Sequence, residues 1–531
     1  MQTAVLVQLI SQRVTPDSLA ARRGLWLRAS LTLLVGSIFF IHLPVLRHYF
    51  FADDFFPLAD IASRSTSDYL RDLFLMRDVA PNWRFLTGLF YLAEYRAFGL
   101  NAFPFLLTSV LAHIGTAVLI FLLMRRATGA NWPAFLAGAF FGLTASHAPT
   151  VGHISSFTHV LAGFLVMLSI VTLYEGLMRR QLRLWGVVSL VSFAGAIAAN
   201  ESVAVVAPVL GLVVLWKFSE ADGWWREPHQ WARLALLISP YGLIGGSALI
   251  GFTACQCTVA AREQFFVLDD HIIGNLWIYL GRLLYPIGME WPGQVGTAHL
   301  VAGPVVAALA GAALLRGPAL ARICVVFLFL ALVPYLPLDW ALAPRYVYMA
   351  AIPFSMLAAF VFAEVARRGA SLSPALPRVL IVVAFGVMGL YSWQTWEQNQ
   401  AFASGPADWR TLVTGLQERY PDLPQGSRVV VRGGPLTSPF WQGPVLGSVG
   451  EVLWGDVELF TVPEGTLRVC ARPGGELYVV DFDGGRFTPV LVTNLSELAG
   501  HKITPTTAAT STPTVVAVDC PAGTPGTLPP P

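Results

Sequence analysis

Long apolar runs recur along this chain as far as residue 394, and each is long enough, or nearly long enough, to cross a lipid bilayer. A chain with 55% hydrophobic and only 12% charged residues cannot bury so much apolar surface in a soluble fold. The sequence therefore predicts an all-α polytopic membrane domain. We expect about eleven spans, near 25–46, 103–124, 132–147, 157–178, 184–199, 202–216, 234–254, 299–315, 319–337, 345–366 and 378–394.

Arginine and lysine residues give the predicted spans an orientation. Alternate connections are rich in basic residues, such as Arg125 with Arg126 and Arg179 with Arg180. Cytoplasmic connections carry such an excess. We therefore expect a cytoplasmic N-terminal segment (1–24), with no cleaved signal peptide, and a transmembrane domain (25–394). The longest connections predicted on the outer side are 47–102 and 255–298.

The composition changes after residue 394. Short runs of strand-forming residues separated by Gly and Pro fill the region from about 425 to 490. We predict a small β-rich (α+β) extracytoplasmic domain over 395–502, with a helix near 408–419 at its start. The tail, 503–531, is rich in Thr and Pro, and we expect it to be disordered.

The cysteines and the charge balance exclude several classes of function. The five cysteines form no CxxC pair, which argues against a zinc ribbon or a thioredoxin-like motif. The net charge is only +2 and no basic run occurs, so nucleic acid is not an expected partner. Cys470 and Cys520 both fall on the predicted outer side, where disulfides persist, and a Cys470–Cys520 disulfide is one candidate pairing.

Two adjacent carboxylates, Asp53 and Asp54, follow the first span in the sequence FFADDFF. A charge retained among aromatic residues usually has a role, because an unpaired carboxylate is costly to desolvate. Two carboxylates this close raise the pKa of one of them, which suits a general base. A solvated loop pair or a helix cap is the alternative interpretation.

Five other polar residues lie at predicted outer ends of spans. Glu201 either caps a helix N-terminus or lies in a site. His147 and His153 are either structural or site residues, and their spacing is not a metal-ligand pattern. Arg345 is either a snorkelling anchor or a clamp for phosphate, and Tyr346 belongs either to an aromatic belt or to the site. Polar groups gathered at one face favour a lipid-facing active site over a channel.

Four passages of the sequence resemble the GT-C glycosyltransferases, and above all the bacterial relatives of the transmembrane and tetratricopeptide-repeat O-mannosyltransferases. The passages are FFADDFF, the segment that begins NWRFLTGLFYLAEYRAFGLN, AANESVAVVAPVL and APRYVYMAAIPF. They occur in the family's order within about residues 25–366, although this chain has no tetratricopeptide repeats. Phe85, Asn200 and Pro344 stand where the family often has Pro, Lys and Glu.

The resemblance implies an inverting hexosyl- or mannosyltransferase of a bacterial plasma membrane. Such an enzyme takes a sugar from a polyprenyl-phosphate-linked donor at the outer face and transfers it to a protein or glycan acceptor. The implied general base is Asp53 or Asp54. No cofactor is required, although some GT-C enzymes hold a divalent cation near the acidic motif, and both carboxylates could serve as its ligands.

The resemblance also implies roles for residues outside the acidic motif. Glu201 becomes a supporting carboxylate of the site, and Arg84 and Arg345 become candidates for binding the donor phosphate. Inverting transfer needs a base on the acceptor hydroxyl and stabilisation of the departing phosphate. Together with these residues, His147, His153 and Tyr346 complete the candidate substrate-binding set.

Two other functions fit a polytopic chain of this kind. A transporter or flippase of a lipid-linked sugar needs ionisable residues at mid-depth and often has inverted repeats, whereas the predicted span centres are almost wholly apolar. A catalytically inactive membrane scaffold that presents the C-terminal domain is the other alternative. The departures from the family pattern at Asn200 and Pro344 leave the scaffold open as an alternative.

Overall fold

The structure is a computed structural model of the chain, and it describes residues 16–75, 84–220, 227–255, 267–286, 297–338, 343–373, 375–432, 439–461, 467–471, 476–483, 486–494, 502–503 and 515–519. The chain forms two compact units. The first, here called the helical unit, comprises Met1–Val45, Leu107–Gly152 and Ser156–Asn399. The second, here called the mixed unit, comprises Leu46–Leu106, His153–Ser155 and Gln400–Pro531.

The described α-helices of the helical unit share an apolar composition. In chain order the helices of both units are α1 (Pro16–Ile41), α2 (Phe55–Ala62), α3 (Thr66–Leu75), α4 (Phe85–Phe98), α5 (Ala102–Thr128), α6 (Asn131–Gly142), α7 (Ala148–Val151), α8 (Phe157–Arg179), α9 (Leu182–Ala199), α10 (Ala207–Ser219), α11 (Pro228–Cys255), α12 (His271–Leu284), α13 (Thr297–Arg316), α14 (Ala319–Leu332), α15 (Tyr348–Leu372), α16 (Leu376–Ala401), α17 (Ser404–Arg419) and α18 (Pro439–Trp454).

Within the described residues, nine helical segments are long and apolar enough to cross a membrane. They are based on α1, α5, α8, α9, α10, α11, α13, α15 and α16. The other two predicted spans are also helical but shorter: α6 has 12 residues, and α14 with its continuation covers Ala319–Tyr335. The chain is therefore that of an integral membrane protein, and the predicted polytopic all-α membrane domain is confirmed.

Short 3-10 turns interrupt the helices of the helical unit and contain the predicted site residues His147, Glu201, Arg345 and Tyr346. They cover Ala145–His147, Glu201–Val206 and Pro344–Val347. The first two turns each precede an α-helix that begins with alanine followed by proline, as at Ala207 and Pro208 in α10. The turn Glu201–Val206 leaves a backbone donor that a side chain satisfies, because Asn200 accepts from the N–H of Ser202, and this requirement holds a polar residue inside an apolar unit.

The mixed unit contains the predicted β-structure. Its strands are β1 (Arg428–Arg432), β2 (Glu458–Thr461), β3 (Leu467–Ala471), β4 (Glu476–Asp483), β5 (Arg486–Asn494), β6 (Lys502–Ile503) and β7 (Val515–Asp519). A four-stranded sheet has the order β2-β1-β4-β5, with β1 parallel to β2 and β4 and with β5 antiparallel to β4. A second sheet has the order β3-β7-β6.

The core of the mixed unit joins the first long connection to the C-terminal region. Phe55 of α2 is fully buried, and its ring lies 5.3 Å from that of Trp409 in α17. Helix α18 contacts both α2 and β2. Apolar burial between these elements, at roughly 25 cal/mol per Å², holds residues far apart in sequence in one unit.

The unit boundaries differ from the predicted domain boundaries in two respects. The connection 46–106 and the tripeptide His153–Ser155 group with the C-terminal region rather than with the spans. The tail also contains β7, which pairs with β3 in parallel register, so part of 503–531 is a strand rather than disordered. The three valines in Val515–Asp519 are the sequence signal for that strand.

Candidate active site

The Asp53–Asp54 pair lies in a 3-10 turn, Ala52–Asp54, that leads directly into α2. Ala52 has a φ of 47°, in the left-handed region that residues other than glycine seldom adopt. Strain of this kind is concentrated at functional sites, where the surrounding contacts maintain it. The turn places the two carboxylates in different surroundings: the Asp54 side chain is 1% exposed and that of Asp53 is 27% exposed.

His153 joins the two carboxylates from a distant part of the sequence. Its Nε2 lies 2.7 Å from Asp53 Oδ1 and 3.2 Å from Asp54 Oδ1. The same nitrogen lies 3.3 Å from Ser155 Oγ. The histidine is buried. The structure therefore brings together three of the residues predicted for the site.

Asp54 is held by backbone donors on both sides. The N–H of Ser155 donates to Asp54 Oδ1 at 2.6 Å, and the N–H of Phe51 donates to Oδ2 at 3.0 Å. Burial raises the pKa of Asp54 to about 6, with Asp53 adding to the rise, while His153 and the two N–H donors oppose it. Both oxygens of Asp54 are thus engaged in holding the turn, which leaves Asp53 as the more accessible carboxylate.

Aromatic rings surround the cluster. Phe51 lies 5.3 Å from the His153 ring, and Phe402 lies 5.5 Å from Phe51 and 6.3 Å from His153, all between ring centroids. Neighbouring aromatic rings of this kind reduce hydration of the carboxylates and strengthen their electrostatic interactions. Sequence reasoning missed Phe402 and Ser155, because nothing in their local sequence connects them with the first long connection.

Arg84 lies in the same unit, immediately before α4 and half-buried. Its charge acts on Tyr91, as do those of Asp53 and Asp54, and Tyr91 donates from its hydroxyl to the carbonyl of Ile154 at 2.6 Å. Burial raises the pKa of Tyr91 well above its usual value, and the Asp54 charge adds to that rise while Arg84 opposes it. Arg84 is therefore within electrostatic range of the hydroxyl that packs beside the acidic pair.

A second polar cluster lies in the helical unit around the turn Glu201–Val206. Asn200 is buried and caps this turn, because its Oδ1 accepts from the N–H of Ser202 at 3.1 Å and from the Ser202 hydroxyl at 2.7 Å. Its Nδ2 lies 3.2 Å from His159 Nδ1. The Ser202 hydroxyl also bonds the Tyr335 hydroxyl at 2.7 Å. Asn200 is thus a structural cap, and half-buried Glu201 occupies the first turn beside it.

The turn Pro344–Val347 adds two predicted site residues to this second cluster. Tyr346 stacks on Tyr335 with ring centroids 4.6 Å apart and planes at 13°. The half-buried Arg345 guanidinium lies 5.7 Å from the centre of the Tyr346 ring. His159 lies 6.2 Å from Tyr346. The fold therefore groups Glu201, Arg345 and Tyr346 within one unit, whereas His159 and Tyr335 were missed because each lies singly in an apolar run.

His147 and His153 are close in sequence but belong to different units. His147 ends the turn Ala145–His147 in the helical unit, with no exposure, and its ring lies 4.7 Å from that of Phe141 and 4.6 Å from that of Tyr348. Asp53, Asp54 and His153 belong to the mixed unit. The two histidines therefore belong to different clusters.

Two predictions from the sequence concern cysteine and metal. Cys470 lies in β3, but Cys520 is outside the described residues, so the Cys470–Cys520 disulfide stays a prediction. Among the described residues, one group of His, Cys, Asp or Glu side chains has three ligand atoms within 4.8 Å of one another, and it is Asp53, Asp54 and His153. The donor set of two carboxylates and one imidazole fits a divalent cation.

The left-handed conformation of Ala52 gives a testable prediction for the turn. Ala52→Val should destabilise the mixed unit by about 1–3 kcal/mol, because a β-branched residue is a marked outlier at this φ, whereas Ala52→Gly should change stability by less than about 1 kcal/mol. Apparent Tm values of the two variants in nanodiscs would show the difference. Equal Tm values for Val and Gly would contradict a strained turn.

The sequence matches no protein-family model and no curated protein. The fold is similar to that of ArnT from Cupriavidus metallidurans, solved bound to undecaprenyl phosphate, with a TM-score of 0.43 and 16% identity over 78% of this chain and 84% of that one. It is also similar to the oligosaccharyltransferase AglB from Archaeoglobus fulgidus, solved with an inhibitory peptide and a dolichol-phosphate, with a TM-score of 0.47 and 12% identity over 84% of this chain and 66% of that one.

A second structure of the Archaeoglobus fulgidus oligosaccharyltransferase, tethered to an acceptor peptide, gives a TM-score of 0.47 and 11% identity over 83% of this chain and 65% of that one. This chain therefore spans just under two thirds of the archaeal enzyme. At these levels of identity and overlap, the similarities fix neither the activity of this protein nor the role of any residue.

Proposed function

We propose that this protein is an inverting glycosyltransferase that transfers a sugar from a polyprenyl-phosphate-linked donor to an acceptor hydroxyl. The observation that carries the proposal is the Asp53–Asp54–His153 cluster, in which one partly exposed carboxylate is held beside a buried histidine. The supporting sequence evidence is the four-passage resemblance to the GT-C glycosyltransferases.

Asp53 is the proposed general base, and Asp54 is the residue that positions it. Asp54 uses both oxygens to hold the backbone at Phe51 and Ser155. Asp53 is the carboxylate that a substrate can reach, and general bases of this kind contribute typically 10²–10⁴-fold to a rate. Asp53 takes the acceptor proton as the acceptor atom attacks the anomeric carbon. The bond from that carbon to the phosphate oxygen breaks, and its electron pair leaves with polyprenyl phosphate.

Arg345 is one of the two candidates for binding the donor phosphate. A guanidinium fork matches the geometry of phosphate oxygens and stabilises the charge that develops on them. The stacked Tyr335–Tyr346 pair and the hydrogen-bonded Ser202 and Asn200 fix the turn that carries Arg345. Arg84, in the mixed unit, is a second candidate for binding phosphate.

We further propose that the site faces the exterior of the plasma membrane and that the N-terminus is cytoplasmic. The support is the distribution of basic residues, since Arg125 and Arg126 end α5 while Arg179 ends α8. Cytoplasmic ends of spans carry such charges. The acceptor, a protein or a glycan, would then be met outside the cell, together with a donor embedded in the membrane.

A divalent cation is an additional proposal for the Asp53–Asp54–His153 cluster, because its ligand atoms already lie close together. Such an ion would supply positive charge to a donor phosphate or to an ionised acceptor. We expect Mn²⁺ to raise the apparent Tm of the purified protein by mass action, and more at pH 8 than at pH 6 because binding displaces protons. The same titration of His153→Gln should show no rise. A Tm that does not respond to Mn²⁺ in the wild type would contradict a cation site.

The proposed function can be tested with purified protein in nanodiscs. A panel of polyprenyl-phosphate-linked hexoses is supplied with membrane-fraction acceptors, and release of polyprenyl phosphate is measured together with the anomeric configuration of the product. We expect release to depend on one donor and the product to be inverted. Movement of a fluorescent lipid-linked sugar across the bilayer without release would support a flippase. The absence of both release and movement would support a scaffold.

A further inference from the structure

Three histidines form a row inside the helical unit. His42 directly follows α1, His113 lies within α5 and His147 ends a 3-10 turn, and none of them is exposed. Ring centroids are 5.1 Å apart for His42 and His113 and 5.3 Å apart for His113 and His147. His113 therefore occupies the centre of the row. Ionisable residues inside a membrane unit are costly and usually have a function.

The hydrogen bonds of His113 define its protonation. Its Nε2 lies 3.3 Å from the carbonyl oxygen of Gly142, and its Nδ1 lies 2.9 Å from the Tyr348 hydroxyl. A cation without exposure is strongly disfavoured in these surroundings, so we assign the neutral ring. A carbonyl can only accept, so Nε2 carries the proton and Nδ1 accepts from Tyr348. Both nitrogens of His113 are thus satisfied.

The same reasoning leaves His42 with one bare acceptor. Its Nδ1 lies 3.0 Å from the carbonyl oxygen of Ile38, so Nδ1 carries the proton and Nε2 is a lone-pair acceptor. Within the part of the chain that the structure describes, His42 Nε2 and both nitrogens of His147 have no hydrogen-bond partner. The row therefore presents two unused acceptors and one unused donor, whereas buried polar atoms in native proteins almost always have partners.

The pattern of unused groups selects the kind of ligand. A metal ion is unsuitable, because the His113 nitrogens are already bonded and the described nitrogens of the row do not converge as the atoms of Asp53, Asp54 and His153 do. The His147 N–H disfavours any cation, and the lone pairs disfavour any anion. A ligand that both donates and accepts is required, and water meets this requirement with two to four bonds.

We propose that the helical unit contains a hydrated histidine site, in which bound water hydrogen-bonds His42 Nε2 and the two nitrogens of His147. The water extends the pairing of His113 with Tyr348 into a polar network that links α1, α5 and the turn Ala145–His147. This network gives the helical unit an internal hydrated polar site.

The site can be tested by two substitutions at His147 and one direct observation. His147→Phe keeps the planar ring but removes both nitrogens, so bound water loses partners and the apparent Tm should fall by several degrees. His147→Gln keeps one donor and one acceptor and should recover most of that loss. The exposed His229, replaced by Gln, serves as the control and should leave the Tm unchanged.

If no water bound His42 Nε2 and the nitrogens of His147, the Tm of His147→Phe would change in the opposite direction. Removing two unpartnered polar atoms with Phe would then raise the Tm, and Gln would not, which would overturn the proposal. A wild-type density map that orders water should show a peak within hydrogen-bond distance of His42 Nε2 or His147, and an empty space there would overturn it independently. Stoichiometric transition metal in the wild type that is lost in His147→Phe would also overturn water as the ligand.

Discussion

Replacing Asp54 by alanine is expected to lower the free energy of unfolding of the mixed unit by about 2–4 kcal/mol. The reason is that two backbone donors, the N–H groups of Phe51 and Ser155, lose their acceptor in a part-buried site. Hydrogen exchange is the sharpest measurement, because the amides of Phe51 and Ser155 should exchange roughly 30-fold faster or more. Unchanged exchange at both amides would contradict a positioning role for Asp54.

Asp68→Ala is the matched control for that loss. Asp68 is an aspartate of the same unit whose side chain is half exposed and pairs with Arg71 across a turn of α3. Exposed ion pairs contribute only about 0–1 kcal/mol. We therefore expect the control to leave the exchange of Phe51 and Ser155 unchanged, so that any effect of Asp54→Ala reports the buried carboxylate itself.

The Asp54 carboxyl should also give the mixed unit a pH dependence. Burial raises its pKa from 3.8 to about 6. Between these values the folded protein holds a proton that the unfolded chain has lost, so the contribution is fully present below about pH 4 and is lost as pH rises through about 6. The Tm of the wild type should fall over this window relative to Asp54→Asn, and parallel profiles would contradict the raised pKa.

The apolar runs were sufficient to predict the helical membrane unit, but not its internal polar network. Hydropathy locates a span because every backbone group in lipid must be bonded within the helix. It does not show which single histidine in an apolar run meets another, so His42, His113 and His147 were not recognised as a group. Asn200 illustrates the same limit, because its role as a cap depends on Ser202 and on the turn between two helices.

The candidate active site was predicted in part. Asp53 and Asp54 were identified because adjacent charges are conspicuous in FFADDFF, and His153 because it lies at the predicted outer end of a span. The donors that hold Asp54 are backbone N–H groups, which no residue type reveals. Phe402 reaches the site only through folding of the C-terminal region with the first long connection, a contact across several hundred residues.

Replacing Asp53 by asparagine is expected to reduce sugar transfer by 10²–10⁴-fold, the usual contribution of a general base. Asparagine has nearly the same shape but cannot take the acceptor proton. Asp54 still lies 3.2 Å from His153 Nε2 in this variant, so the apparent Tm should change by no more than a few degrees. Asp53→Glu should recover part of the rate, because it restores a carboxylate at a less favourable distance.

Measurements of sugar transfer should also distinguish the role of Asp53 from that of Asp54. Asp54→Asn should lose activity together with stability, and the loss should be partly recovered at low temperature, where the turn is better formed. Asp53→Asn should remain inactive at every temperature. A loss of rate that follows the Tm in both variants would show that both residues are structural.

The role of Asp53 as general base is tested most directly by the rate at which the purified protein releases polyprenyl phosphate from its lipid-linked sugar donor. This rate is measured side by side for the wild type, Asp53→Asn and Asp68→Asn. We expect turnover by the wild type and by Asp68→Asn, and a loss of at least about 100-fold in Asp53→Asn with a Tm within a few degrees of that of the wild type. Equal rates for the wild type and Asp53→Asn would contradict this role.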